Sequence, residues 1–148
     1  MRFVYAALFL FVASLTARAD GLIRIESQHG VKETVDRLAA AIEKRGIKIA
    51  ARIDHSAAAK AAGLELAPTE LLIFGNPKLG TPLMQESQTM GIDLPMKILT
   101  WQDTSGKVWM AFSDPDDLKS RHGVKTHDEK FVKMRKALDG LVQAAGSN

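Results

Sequence analysis

Leu22-Ile23-Arg24-Ile25-Glu26 alternates apolar and polar positions, the period of a half-buried strand. From Val31 to Arg45 the period changes. Val31, Val35, Leu38 and Ile42 recur at spacings of four, three and four and form one stripe of a helix, which Gly46 stops. Ile47, Ile49, Ala51 and Ile53 then alternate with Lys48, Ala50 and Arg52, predicting a second strand. Asp54 is placed to cap a short alanine-rich helix over His55–Ala62 that ends at Gly63. Glu70–Phe74 reads as a buried strand broken by Gly75-Asn76-Pro77. Thr81-Pro82 offers a cap followed by proline and predicts a helix running to about Met90. Thr126 and Glu129 have capping-box spacing and predict the start of a terminal helix with the stripe Phe131, Met134, Leu138, Leu141 and Val142.

The segments Met96–Asp103 and Lys107–Ser113 predict a hairpin over Thr104-Ser105-Gly106. A three-residue loop pairs Asp103 with Lys107, which sets Trp101 opposite Trp109 on one face with Leu99 and Ala111. Ile98, Val108, Met110 and Phe112 take the other face, so both faces of the hairpin are apolar. The predicted class is α+β, a two-layer domain with helices packed on one face of a sheet. Its own helices cover one face only. A second copy of the chain is expected on the other, with Trp101, Trp109 and Leu99 as its interface. The competing expectation is that the helix after Thr81, or the Gly91–Pro95 segment, folds over the tryptophans.

The N-terminus changes the meaning of the charge. Met1-Arg2, an apolar run from Phe3 to Leu15 and the small-x-small site at Ala17-Arg18-Ala19 predict a signal peptide over 1–19, leaving one domain over 20–148. That run is shorter than the ~20 residues a membrane anchor needs. The whole chain of 148 residues carries a net charge of +3. Loss of Arg2 and Arg18, with no acidic residue lost, leaves 18 of the 20 basic side chains against 17 acidic ones. Such a balance lacks the footprint of a nucleic-acid binder. The chain has no cysteine, so disulfides and thiolate metal sites are excluded. Periplasmic or secreted location is the expectation, without an integral membrane segment after cleavage.

Candidate chemistry is sparse. His29, His55, His122 and His127 show neither the i, i+4 pair nor the H-x-E context of a metal or protease site. A metal site from Asp54, His55, Asp114 and His122 needs the fold to gather them. No serine stands in a nucleophile elbow, and Ser113-Asp114-Pro115-Asp116-Asp117 lacks EF-hand spacing, reading instead as turn and cap chemistry before a short helix. Gly75–Gly80 precedes a helix N-terminus but lacks the P-loop lysine, a weak anion cradle at best. No cofactor is predicted.

Phe74-Gly75-Asn76-Pro77, Gly80-Thr81-Pro82-Leu83-Met84, Asp93-Leu94-Pro95 and Trp101-Gln102-Asp103 occur in an ordered series. It continues through Gly106-Lys107-Val108-Trp109, Asp114-Pro115 and Arg121-His122-Gly123, with Ile53-Asp54-His55 upstream. This series resembles the domain-of-unknown-function family number 302 over nearly the whole chain from Gly21 to Ala144. The resemblance implies a small two-layer α+β domain, usually dimeric, with no established reaction. It also singles out Asp54, His55, Phe74, Gly75, Asn76, Pro77, Leu94, Pro95, Asp114 and His122 as motif positions. Phe112-Ser113 departs from the pattern, which often has an aromatic such as tyrosine near Ser113. The expected function is an exported, non-catalytic, homodimeric module that binds a small ligand or protein partner near the Asn76 turn. Its expected ligand-binding residues are Asp54, His55, Asn76, Asp114 and His122, with Asp54, His55, Asn76 and His122 meeting in one cleft. The alternative is a metal-binding protein or hydrolytic enzyme using His55, His122 and Asp114.

Overall fold

The computed structural model describes residues 21–147; the predicted signal peptide and residue 148 lie outside the described residues. Strands β1 (Leu22–Ser27), β2 (Lys48–Asp54), β3 (Thr69–Gly75), β4 (Met96–Gln102) and β5 (Val108–Ser113) form one antiparallel sheet in the order β1-β5-β4-β3-β2. Five helices accompany it: α1 (Val31–Lys44), α2 (His55–Ala61), α3 (Pro77–Glu86), α4 (Pro115–Arg121) and α5 (Asp128–Gly146). A 3-10 turn over Gln88–Ile92 follows α3. This is the expected α+β class.

The period-2 and period-3.6 patterns explain the layers. In α1 the inward stripe Val31, Val35, Leu38 and Ile42 is buried, and Gly46 follows with φ +67°, the left-handed backbone that glycine adopts at least cost. All five residues of the α5 stripe are buried as well. These two helices pack against each other and against Leu72, Ile98, Met110 and Phe112 on one face of the sheet. Each fully buried Leu or Ile in that layer contributes about 2 kcal/mol. The hairpin register is the expected one, with Trp101 facing Trp109 and Leu99 facing Ala111. Gly106 closes the loop at φ +85°.

Two helix starts differ from expectation. α3 begins at Pro77 with Asn76 as its cap, and Pro82 lies inside it. The Asn76 Oδ1 accepts from the Lys78 amide at 2.9 Å, so the earlier of two similar cap-proline signals wins. α5 begins at Asp128, and its cap residue is His127 in the left-handed region at φ +64°, without a capping side-chain bond. Thr126 is used elsewhere: its hydroxyl donates to Glu86, whose carboxylate also accepts from the Lys125 amide at 2.7 Å. That exchange anchors the start of α5 to the end of α3. α4, capped by Asp114, is the short helix expected after Ser113.

Candidate functional site

Three of the five expected ligand-binding residues are helix caps. Asp54 accepts from the Ala57 amide at 2.8 Å, Asn76 from Lys78, and Asp114 from the Asp116 amide at 3.1 Å. The register then separates them. Asp54 pairs with Glu70 at one end of β3, while Asn76 follows Gly75 at the other. Six residue steps at ~3.3 Å put the two about 20 Å apart. His55, exposed at the start of α2, stays with Asp54. Asn76, Asp114 and His122 belong to the opposite end of the sheet, so Asp54 and His55 do not share a cleft with Asn76 and His122. No group of three or more His, Cys, Asp or Glu side chains is placed to hold a metal among the described residues.

His122 has the most developed surroundings of the set. Its side chain is 5% exposed, and Nε2 lies 2.6 Å from the Asp93 carboxylate while Nδ1 lies 2.8 Å from the Thr89 hydroxyl. Arg121 joins Asp93 at 3.2 Å. Burial works to raise the Asp93 carboxyl, but the hydrogen bond from His122 and the Arg121 charge outweigh it and hold the group below its ordinary range. The carboxylate that orients His122 is therefore Asp93, not Asp114. Asp114 is buried, and Arg135 approaches it at 3.6 Å. Asp93 and Thr89 precede His122 by 29 and 33 positions, a separation that leaves no mark in local spacing.

A cleft of about 630 Å³ opens beside the Asn76 turn. It lies between the start of β2, the end of β3, α3 and the middle of α5, and its size is that of a small-molecule site. Phe74, Gly75, Asn76, Pro77, Leu94 and Pro95 contribute to its wall, so six of the ten motif positions converge there. Two glycines stand close against the wall. A Cβ on Gly75 would stand 3.1 Å from Pro95, and one on Gly80 would stand 3.3 Å from Leu94. Opposite, α5 presents Met134, Ala137 and Leu138. The helix N-terminus at Asn76 is not an anion cradle. Pro77 has no amide hydrogen, Lys78 is capped by Asn76 Oδ1, and the Leu79 and Gly80 amides donate to the Asn76 carbonyl.

A second, wider groove lies against α1 and includes Asp54 and Ser56. Arg52 bridges it, donating to Glu70 at 2.8 Å and Asp36 at 2.6 Å. The Glu70 and Asp36 bonds raise the Arg52 pKa further. Lys32 and Arg52 together lower that of Asp36. Lys32, Asp36, Arg52 and Glu70 thus match one another's charge.

The sheet face away from α1 and α5 carries Leu71, Ile73, Leu99, Trp101, Trp109 and Ala111 across β3, β4 and β5. Both tryptophans are half-buried. Trp109 donates its indole N–H to Asp103 at 2.8 Å, and the Lys107 amine stands 5.9 Å from its ring centroid. Neither α3 nor the Gly91–Pro95 segment covers this pair. Leu83 of α3 and Met90 join the core on the helical side.

Comparison with known proteins gives three kinds of likeness. The chain is 49% identical over 123 residues to proteins named fluoride-specific ion channel FluC 1 in Brucella suis and Brucella abortus, the match covering 83% of this chain. It spans about half the length of these curated relatives, 48% and 46% respectively. In structure it resembles an uncharacterized conserved protein, DUF302, from Bacillus stearothermophilus, with a TM-score of 0.76 and 20% identity, covering 86% of this chain and 99% of that one. That likeness establishes the fold. The pattern of the domain of unknown function DUF302 matches residues 23–141, and the chain belongs to this family.

Proposed function

We propose that the protein is an exported, non-catalytic binding module that takes a small apolar ligand in the cleft beside Asn76 and works as a pair of identical chains. The observation that carries this reading is the gathering of Phe74, Gly75, Asn76, Pro77, Leu94 and Pro95, scattered over 22 positions, around one apolar cleft. Asn76 serves there by fixing the turn. The export part rests on the N-terminal pattern, and the pairing part on the apolar sheet face. The test is titration with the neutral fluorophore N-phenyl-1-naphthylamine. Saturable binding near one probe per chain, lost in Ala137→Trp with the fold intact by circular dichroism, is expected. Absence of saturable binding by the native protein overturns the reading.

The Brucella relatives bear a channel name, but no helix among the residues described here is long and apolar enough to cross a membrane. We take the part of those relatives that this chain matches as a companion to the activity their names state.

One observation favours a hydrolytic reading: Thr89, His122 and Asp93 form a continuous hydrogen-bonded line. In the serine triads, however, the carboxylate holds Nδ1 and the hydroxyl meets Nε2, the reverse of what is found here. Thr89 also lines neither cleft. Turnover of p-nitrophenyl acetate that disappears in both Thr89→Val and His122→Gln would establish the hydrolytic reading in place of the first.

A further inference from the structure

We infer that the ligand of this cleft is a single-chain, medium-length monocarboxylate; the inference rests on the binding-module reading and adds its chemical class. The wall is apolar and adaptable. Phe74 and Leu94 are joined by Met84, Met96 and Met134, whose unbranched thioethers conform to a flexible chain. One charged residue, Lys48, lines the cleft, and no acidic one does among the described residues. Lys48 begins β2 and pairs in register with Gly75, which sets it at the rim of the cleft beside the Asn76 turn. It is exposed and takes part in no ion pair with a described acidic side chain, unlike Arg52 or Lys107.

The charge to be matched is thus a single positive one at the rim of an apolar slot, which calls for one negative charge on the ligand. A compact, multiply charged anion is excluded by the backbone. The first amides of α3 are already spent on Asn76, so phosphate would meet one lysine and no N–H array. A cationic amphiphile would set its head group against Lys48. A carboxylate needs one cation and leaves its chain to the wall.

Displacement of N-phenyl-1-naphthylamine by decanoate, 1-decanol, decyltrimethylammonium and inorganic phosphate separates these chemistries. Decanoate is expected to compete about five- to tenfold more tightly than decanol, and Lys48→Glu to remove that advantage. Decyltrimethylammonium and phosphate are expected to compete weakly or not at all. Equal affinities for decanoate and decanol, or an unchanged decanoate affinity in Lys48→Glu, overturn the carboxylate inference and leave the cleft reading standing. Competition by phosphate overturns it too. A native protein that does not bind the fluorophore removes the cleft reading and this inference together.

Discussion

The Asp103 carboxylate accepts four hydrogen bonds at the hairpin loop: from the Ser105 amide and hydroxyl, the Lys107 amide and the Trp109 indole. The Ser105 hydroxyl and the Trp109 indole, the largest contributions, bring its pKa from 3.8 down to about 2. A depressed carboxylate stabilises the fold fully above the unfolded value and loses that contribution as pH falls from about 4 towards about 2. Asp103→Asn sets an amide against the Ser105, Lys107 and Trp109 donors, so it should lower the urea midpoint at pH 7. The gap between native and variant should narrow below pH 3. Urea titrations followed by tryptophan fluorescence at pH 7, 4 and 2.5 measure this, and a gap that is constant with pH would count against it. His122→Ala removes a buried ring that satisfies Asp93 and Thr89 at once. It should cost about 2 kcal/mol in denaturant unfolding. A loss below about 0.5 kcal/mol would mean that water replaces the imidazole freely.

At the scale of elements, much of the fold is written in local periods. The α1 and α5 stripes, the hairpin register and the caps at Asp54 and Asp114 follow from spacing within a dozen residues. The start of α3 was harder to read, because Asn76-Pro77 and Thr81-Pro82 present the same cap-proline signal five positions apart and only packing decides between them. The candidate site was legible in part. Its turn at Asn76 is marked by residue type. The dispersal of Asp54 and His55 to the far end of β3, and the meeting of His122 with Asp93, depend on sheet order and helix docking, which no short window holds. The cleft wall depends on the same docking and makes a prediction of its own. Gly75→Val presses its side chain against Pro95 and should cost about 1–3 kcal/mol while displacing the Leu94–Pro95 wall. Gly80→Ala meets only the flexible end of Leu94 and gains about 1 kcal/mol of helix propensity, so it should be nearly neutral. Thermal unfolding of the two variants, with fluorophore binding alongside, checks both halves of the contrast.

For the whole molecule, the unpaired quantity is the apolar face of the sheet. Five strands at ~4.8 Å spacing, each about six residues at ~3.3 Å, make a surface roughly 20 Å on a side. Allowing for protruding side chains, that approaches the ~800 Å² per partner of a standard stable interface. The face is apolar at its centre, with Leu71, Leu99 and the Trp101–Trp109 pair. Charge stands around this centre: Glu26 pairs with Lys107 at 3.1 Å, Arg24 lies on the edge strand opposite Ala111, and Lys97 lies near the start of β4 opposite Ile73. An apolar middle and a polar edge suit a second copy packed sheet to sheet at ~10 Å, related by a two-fold axis. The native protein should therefore sediment as a dimer between 1 and 100 µM. Trp101→Glu, placing a charge at the centre, should weaken the pair more than a hundredfold and give a folded monomer, whereas Val132→Glu, an exposed position on α5, should leave it dimeric. A native monomer throughout that range, or a Trp101→Glu dimer of unchanged affinity, would assign this face to something other than a second copy.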